Sequence, residues 1–114
     1  MKANVDPRLD GLYELFWDPD HPSQNSTQGC RITGFVRNKL ITIQWKGPVP
    51  YADLMNVEPL PTWVTISFET IDSHSTIIHF RHSGWGDSDK WKEAHTWQER
   101  AWQSAFDELQ KTLN

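Results

Sequence analysis

The chain has little cysteine, no excess of positive charge and no long apolar run. Its single cysteine, Cys30, can form neither an internal disulfide nor a cysteine-rich zinc site. The 11 Lys and Arg are outnumbered by 15 Asp and Glu, and a net charge of -4 argues against nucleic-acid binding and against a basic membrane-binding surface. No apolar run approaches the ~20 residues of a membrane-spanning helix, and residues 1–7 contain no apolar signal core. We therefore expect a cytoplasmic protein with no nucleic-acid partner and no membrane span.

Motifs that identify an enzyme are also missing. The sequence has no Gly-rich phosphate loop and no Gly-x-Ser-x-Gly nucleophile motif. His79 and His82 are three residues apart on a predicted strand, so they point to opposite faces and cannot bind one metal ion. Cys30 has no evident histidine base, and we expect it to be a buried, inert thiol. We predict no metal, no cofactor and no catalytic residue, which favours a non-enzymatic function.

The apolar pattern of these 114 residues predicts one α+β domain, with strands first and a helix last. The predicted strands are 10–17, 30–36, 40–45, 62–71 and 76–83. Helical spacing runs from about Asp89 to Leu113, and Asp87 or Ser88 can cap this helix. A capping box at Thr96 allows a later start after a short turn. We expect a curved antiparallel sheet of about five strands that holds the long C-terminal helix against its concave face.

The unusual feature of the composition is its seven tryptophans. We expect aromatic side chains of the sheet and the helix to converge around a cavity for an apolar small molecule, with His82 as the polar contact. A solid aromatic core, with His82 as an ordinary core residue, is the alternative. The predicted aromatic lining is Tyr13, Trp17, Trp45, Phe68, Phe80, Trp102 and Phe106. The proline-rich segment 47–61 is either a functional rim or a plain surface loop.

Several segments resemble the START-like superfamily of polyketide cyclases and lipid-transport proteins. The hairpin segments TWVTISFE (62–69) and TIIHFRHSGW (76–85) look like the closing hairpin of these domains, and AWQSAFDELQKTL (101–113) is similar to their C-terminal helix. DPRLDGLY (6–13) and LITIQW (40–45) resemble earlier strands. The most similar branch contains homologues of the activator of the ninety-kilodalton heat-shock-protein ATPase. This resemblance implies a helix-grip fold with an apolar cavity that binds a hydrophobic ligand.

The resemblance also implies alternative functions and one departure from the pattern. Related domains include chaperone regulators and a few cyclase- or hydrolase-type enzymes, so a chaperone partner is the second hypothesis and an enzyme the third. The sequence reads as a single START-like domain over 1–114 that lacks the usual N-terminal strand and helix pair. Their absence would leave the predicted strand Thr76–Ser83 at a bare sheet edge, and bare edges recruit partners. We therefore expect a homodimer formed through this edge or the open end of the cavity.

Overall fold

The structure is a computed structural model that describes residues 1–113. It divides into two compact units, one covering Met1–Gly84 and the other beginning at Trp85. The first unit contains all the strands, and the second contains the long helix. The predicted α+β class is confirmed, because antiparallel strands come first and one long helix follows them.

The first unit contains two antiparallel sheets. Strands β1 (Lys2–Val5) and β2 (Tyr13–Phe16) form the smaller sheet. The larger sheet has the order β3-β4-β5-β6, so each strand lies beside its neighbour in the chain. Its strands are β3 (Ile32–Val36), β4 (Leu40–Gln44), β5 (Trp63–Asp72) and β6 (Ser75–Ser83).

Strand β1 is a strand that the sequence pattern did not predict. It is four residues long, and all four are exposed, so no alternation marks it as a strand. Its order comes from pairing with β2, in which Val5 lies opposite Tyr13. The connecting turn needs a glycine, because a Cβ atom at the buried Gly11 would overlap the carbonyl oxygen of Asp6. The result is six strands in two sheets, where about five strands in one sheet were expected.

The segment 47–61 is folded back on itself and is not a plain surface loop. It contains a short 3-10 helix, Val49–Tyr51, followed by α1 (Ala52–Met55). Tyr51 and Met55 are buried. The Asn56 side chain accepts a hydrogen bond from the Gly47 amide at 2.7 Å and donates one to its carbonyl at 3.0 Å. These bonds close the segment at its base.

The second unit is dominated by α2 (Asp89–Leu113), a helix of 25 residues. Ser88 caps it, because the Ser88 hydroxyl accepts a hydrogen bond from the Trp91 amide at 3.2 Å. The alternative start at Thr96 is wrong, since the Thr96 hydroxyl donates to the Lys92 carbonyl at 3.0 Å inside the helix. Among residues 1–113, no helix has the length and apolar character needed to cross a membrane.

Candidate functional site

The register of the four-stranded sheet places its apolar side chains on one face. Directly opposed residues of antiparallel strands share a face. Ile41 lies opposite Ile66, which in turn lies opposite Phe80. Val64 is the partner of both Ile43 and His82, and Phe68 is the partner of Ile78. We call this side of the sheet the apolar face, and its members are Ile32, Phe35, Ile41, Ile43, Trp45, Val64, Ile66, Phe68, Ile78, Phe80 and His82.

The opposite face of the sheet, called the polar face below, carries polar side chains beside Leu40, Trp63 and Ile77. The hydroxyls of Thr42 and Thr65 lie 3.4 Å apart on neighbouring strands. His79 pairs with Glu69, with 2.8 Å between the Nε2 atom and a carboxylate oxygen. His79 is opposite Ser67 in the register, whereas His82 is opposite Val64. The two histidines are therefore on different faces, as their spacing predicts.

Burial changes steadily along the apolar face. At one end, Ile43 and Val64 are 1% and 0% exposed. Ile66 in the middle is half-buried. At the other end, Phe68 and Ile78 are 42% and 44% exposed. The same sheet face is thus a packed core at one end and an uncovered apolar surface at the other.

Four of the side chains at the packed end form a chain of ring contacts and one hydrogen bond. The Trp45 ring is 3% exposed and meets Trp17 edge to face, with centroids 6.1 Å apart at 65°. It meets the His82 imidazole in the same way, at 6.1 Å and 75°. The Nε2 atom of His82 lies 3.1 Å from the hydroxyl oxygen of the buried Thr62. We call these residues the Trp45–His82 cluster: two indole rings beside a hydrogen-bonded pair, His82 and Thr62.

The backbone explains why these residues meet. The Trp45 amide donates to the Thr62 carbonyl at 3.2 Å, which continues the β4–β5 ladder past the end of β4. His82 lies opposite Val64, two residues beyond Thr62. Trp17, Trp45 and His82 are three of the site residues predicted from the sequence, and the structure joins them through the Trp45 ring.

The exposed end of the apolar face opens into a groove of about 570 Å³. Phe35, Ile41 and Phe68 supply its aromatic and aliphatic floor. The turn between β3 and β4 forms one side. Of the predicted site residues, Phe68 alone lies here. All the residues that line the groove belong to the first unit, and they are Pro7, Phe35, Val36, Arg37, Asn38, Lys39, Leu40, Ile41 and Phe68.

Phe35 is a lining residue that simple alternation along β3 does not predict. Strict alternation from Ile32 places Val36 on the same side, and this is what the sequence pattern indicates. The structure has a β-bulge between Ile32 and Gly34, which shifts the register by one residue. Phe35 is consequently opposite Ile41 on the apolar face, while Val36 is opposite Leu40 on the other face of the sheet, and both Phe35 and Val36 border the groove. The glycine is the signal that marks such a position.

The remaining predicted residues lie elsewhere in their units. Tyr13 is on β2, half-buried, and burial raises its pKa above the usual value of 10.0. Phe80 lies on the apolar face between the groove end and the His82 end. Trp102 and Phe106 contact each other along α2, with ring centroids 6.3 Å apart. That all eight predicted residues line a single cavity stays a prediction.

The second unit has an aromatic cluster of its own. The Trp85 ring stacks on His95 at 4.7 Å and 19°, and it meets Trp91 edge to face at 6.1 Å. The missing side chain at Gly86 makes room for the Trp91 ring. His95 is also 3.4 Å from the Glu99 carboxylate. This cluster holds the segment before α2 against the first turns of the helix.

The described residues offer little catalytic chemistry. No group of three or more His, Cys, Asp or Glu within 1–113 is arranged to hold a metal ion. Cys30 is fully buried, and burial raises the pKa of its thiol to about 12, so the reactive thiolate is disfavoured. Glu14 has a lowered pKa, mainly because the Gly29 amide donates to its carboxylate at 2.7 Å. Glu14 thereby holds Gly29 in place at the end of the loop that follows β2.

Comparison with known proteins gives one match. The model of the family described as "Activator of Hsp90 ATPase homolog 1-like protein" matches residues 1–114. The comparisons with curated proteins and with solved structures find no match.

Proposed function

Because the chain belongs to the family of Activator of Hsp90 ATPase homolog 1-like proteins, within the START helix-grip superfamily, we propose that it is a non-enzymatic module that binds a hydrophobic small molecule. The observation that carries the proposal is the uncovered end of the apolar face. There Phe35 and Phe68, 37% and 42% exposed, border a groove of about 570 Å³. Small-molecule sites are concave and mostly apolar, with volumes of roughly 300–1,000 Å³.

The packed end of the same face holds the predicted polar contact. A binding site for an apolar molecule needs few polar groups, and these must be held in place to orient the ligand. His82 stays the predicted polar contact: Thr62 and the Trp45 ring fix its imidazole from two sides, while the groove lies at the other end of the face. We assign the sheet part of the site to the apolar face, from Phe68 through Phe80 to His82. Tyr13, Trp17, Trp102 and Phe106 stay predicted contributors.

The test is a titration with N-phenyl-1-naphthylamine, a neutral probe whose fluorescence rises in an apolar site. We expect a saturable rise with one site per chain. Phe68→Asp should weaken binding strongly, because it places a carboxylate on the groove floor. The matched control is Ser67→Asp, which adds the same charge one residue away on the polar face and should bind the probe normally. No saturable signal, or equal loss in both variants, contradicts the proposal.

A role in regulating a chaperone ATPase is the second candidate, and family membership supports it as well. The favouring observation is an exposed apolar surface along and just after segment 47–61. Val49, Val57 and Trp63 are 52%, 57% and 43% exposed. We expect Trp63→Ser to reduce capture of a ninety-kilodalton heat-shock protein and any change in its ATPase rate, with the exposed Trp97→Ser as the control. If the parent chain neither binds the chaperone nor changes its ATPase rate, this candidate fails.

A homodimer through the β6 edge is also proposed. In the larger sheet β6 is the edge strand, and Ile77 and Ile78 on it are each 44% exposed. Exposed apolar edge strands pair readily with a second chain. Light scattering at micromolar concentration should give twice the monomer mass, and Ile77→Lys should give a monomer. A parent chain that stays monomeric defeats the idea. The cytoplasmic location expected from the sequence stays a prediction.

A further inference from the structure

The groove at the exposed end of the apolar face has charge of one sign. Its charged lining residues are Arg37 and Lys39, which flank Asn38 in the turn between β3 and β4. No carboxylate lines it. The rest of the lining is apolar apart from Asn38. The groove therefore combines an apolar floor with a cationic rim.

The backbone fixes the position of this rim relative to the floor. Asn38 adopts a left-handed conformation with φ 63°, and the Lys39 amide donates to the Val36 carbonyl at 2.9 Å, which closes the turn. The Lys39 carbonyl in turn accepts a hydrogen bond from the Phe68 amide at 2.8 Å. The cationic turn is thus joined directly to the residue that forms the groove floor.

The two cationic side chains are available for a ligand. Within residues 1–113, neither Arg37 nor Lys39 makes a side-chain hydrogen bond or an ion pair. This matters because the chain carries a net charge of -4, so a negatively charged molecule is repelled by the protein as a whole. Two cations without carboxylate partners beside an apolar groove oppose that repulsion locally.

We propose that the groove binds a monomeric single-chain amphiphile with a carboxylate head. The tail lies against Phe35, Ile41 and Phe68, and the carboxylate lies at Arg37 and Lys39. A guanidinium and an ammonium both donate charge-assisted hydrogen bonds to carboxylates. This inference rests on the proposed function, since it names the class of hydrophobic molecule that the same surface takes.

The experiment compares dodecanoate with dodecanol, which have the same tail and different heads, by calorimetry below their aggregation concentrations. We expect dodecanoate to bind about tenfold more tightly, as two partly exposed charge contacts allow. The double variant Arg37→Gln/Lys39→Gln should bind both ligands with the affinity of dodecanol. The matched control, Arg81→Gln/Lys92→Gln, loses the same charge outside the groove and should keep the preference. Raising the salt concentration should reduce the preference in the parent chain.

The outcomes separate this inference from the proposed function. Equal binding of dodecanoate and dodecanol to the parent chain overturns the inference and leaves the hydrophobic-ligand proposal standing. A preference that survives in the double groove variant overturns the placement of the head at Arg37 and Lys39. Binding to anionic vesicles without binding of monomeric dodecanoate also overturns it. No binding of either ligand, with no response to N-phenyl-1-naphthylamine, overturns both.

Discussion

Removing the aromatic ring of Phe68 should weaken ligand binding while the fold persists. A phenylalanine side chain buries about 150–250 Å² when fully covered. Phe68 is 42% exposed, so roughly 80 Å² of its surface is left for a ligand to cover. At about 25 cal/mol per Å², covering this surface contributes about 2 kcal/mol, and its loss in Phe68→Ala should raise the Kd of a bound apolar probe about 30-fold.

The second part of this prediction concerns the stability of the Phe68→Ala variant. Phenylalanine-to-alanine changes in a full core cost about 3–5 kcal/mol of unfolding free energy. Because Phe68 is only partly buried, we expect a smaller cost, at or below about 3 kcal/mol. Urea unfolding measures this cost, and titration with N-phenyl-1-naphthylamine on the folded variant measures the Kd.

The control for Phe68→Ala is Ile71→Ala on the same strand. Ile71 is 55% exposed and does not line the groove, so its removal should leave the Kd unchanged. If Phe68→Ala binds the probe as tightly as the parent chain, the exposed end of the apolar face is not the ligand site. A Kd raised equally by both variants leads to the same conclusion.

Three further predictions concern the fold around the site. In Glu14→Gln, the loss of stability with falling pH, followed by circular dichroism, should be smaller than in the parent chain. The Gly29 amide lowers the pKa of Glu14 below its usual 4.5, so the ionised carboxylate stabilises the fold. This stabilisation is complete above pH 4.5 and is lost as the pH falls through the lowered pKa. An acid transition identical to the parent's contradicts this. Gly84→Ala should lower the free energy of unfolding, measured with urea, by about 2 kcal/mol or more, because φ is +92° and a Cβ atom would overlap the Pro61 carbonyl. An unchanged urea midpoint counts against that backbone conformation. Cys30, with a thiol pKa of about 12, should react with dithionitrobenzoate at pH 8 no faster than the chain unfolds, and immediate stoichiometric labelling refutes its burial.

Much of the larger sheet could be predicted from alternation. β5 and β6 have a period of two, and their β-branched and aromatic residues fit a pleated surface. The register that follows places Val64 opposite His82, and the predicted polar contact lies on the apolar face as a result. The long helix could be predicted because its spacing and its cap at Ser88 agree.

The side-chain orientations that were predicted wrongly depend on contacts that a local sequence pattern does not indicate. Alternation favoured Tyr13 and Trp17 as inward residues, yet Phe16 is 8% exposed and Trp17 is 50% exposed. The long loop after β2 folds back and pairs with that strand, with Ser26 opposite Phe16 in an isolated β-bridge. A bulge in β3 likewise turned Phe35, and not Val36, toward the apolar face. Both depend on segments that are distant or irregular in the chain.

The most direct test of the central claim is an amide NMR titration of the parent chain with dodecanol. We expect saturable shifts centred on the β3–β4 turn, on the paired residues Ile41 and Ile66, and on Phe68. An absence of saturable shifts, or shifts confined to residues outside the apolar face and its groove, would contradict the claim that this sheet face binds a hydrophobic molecule.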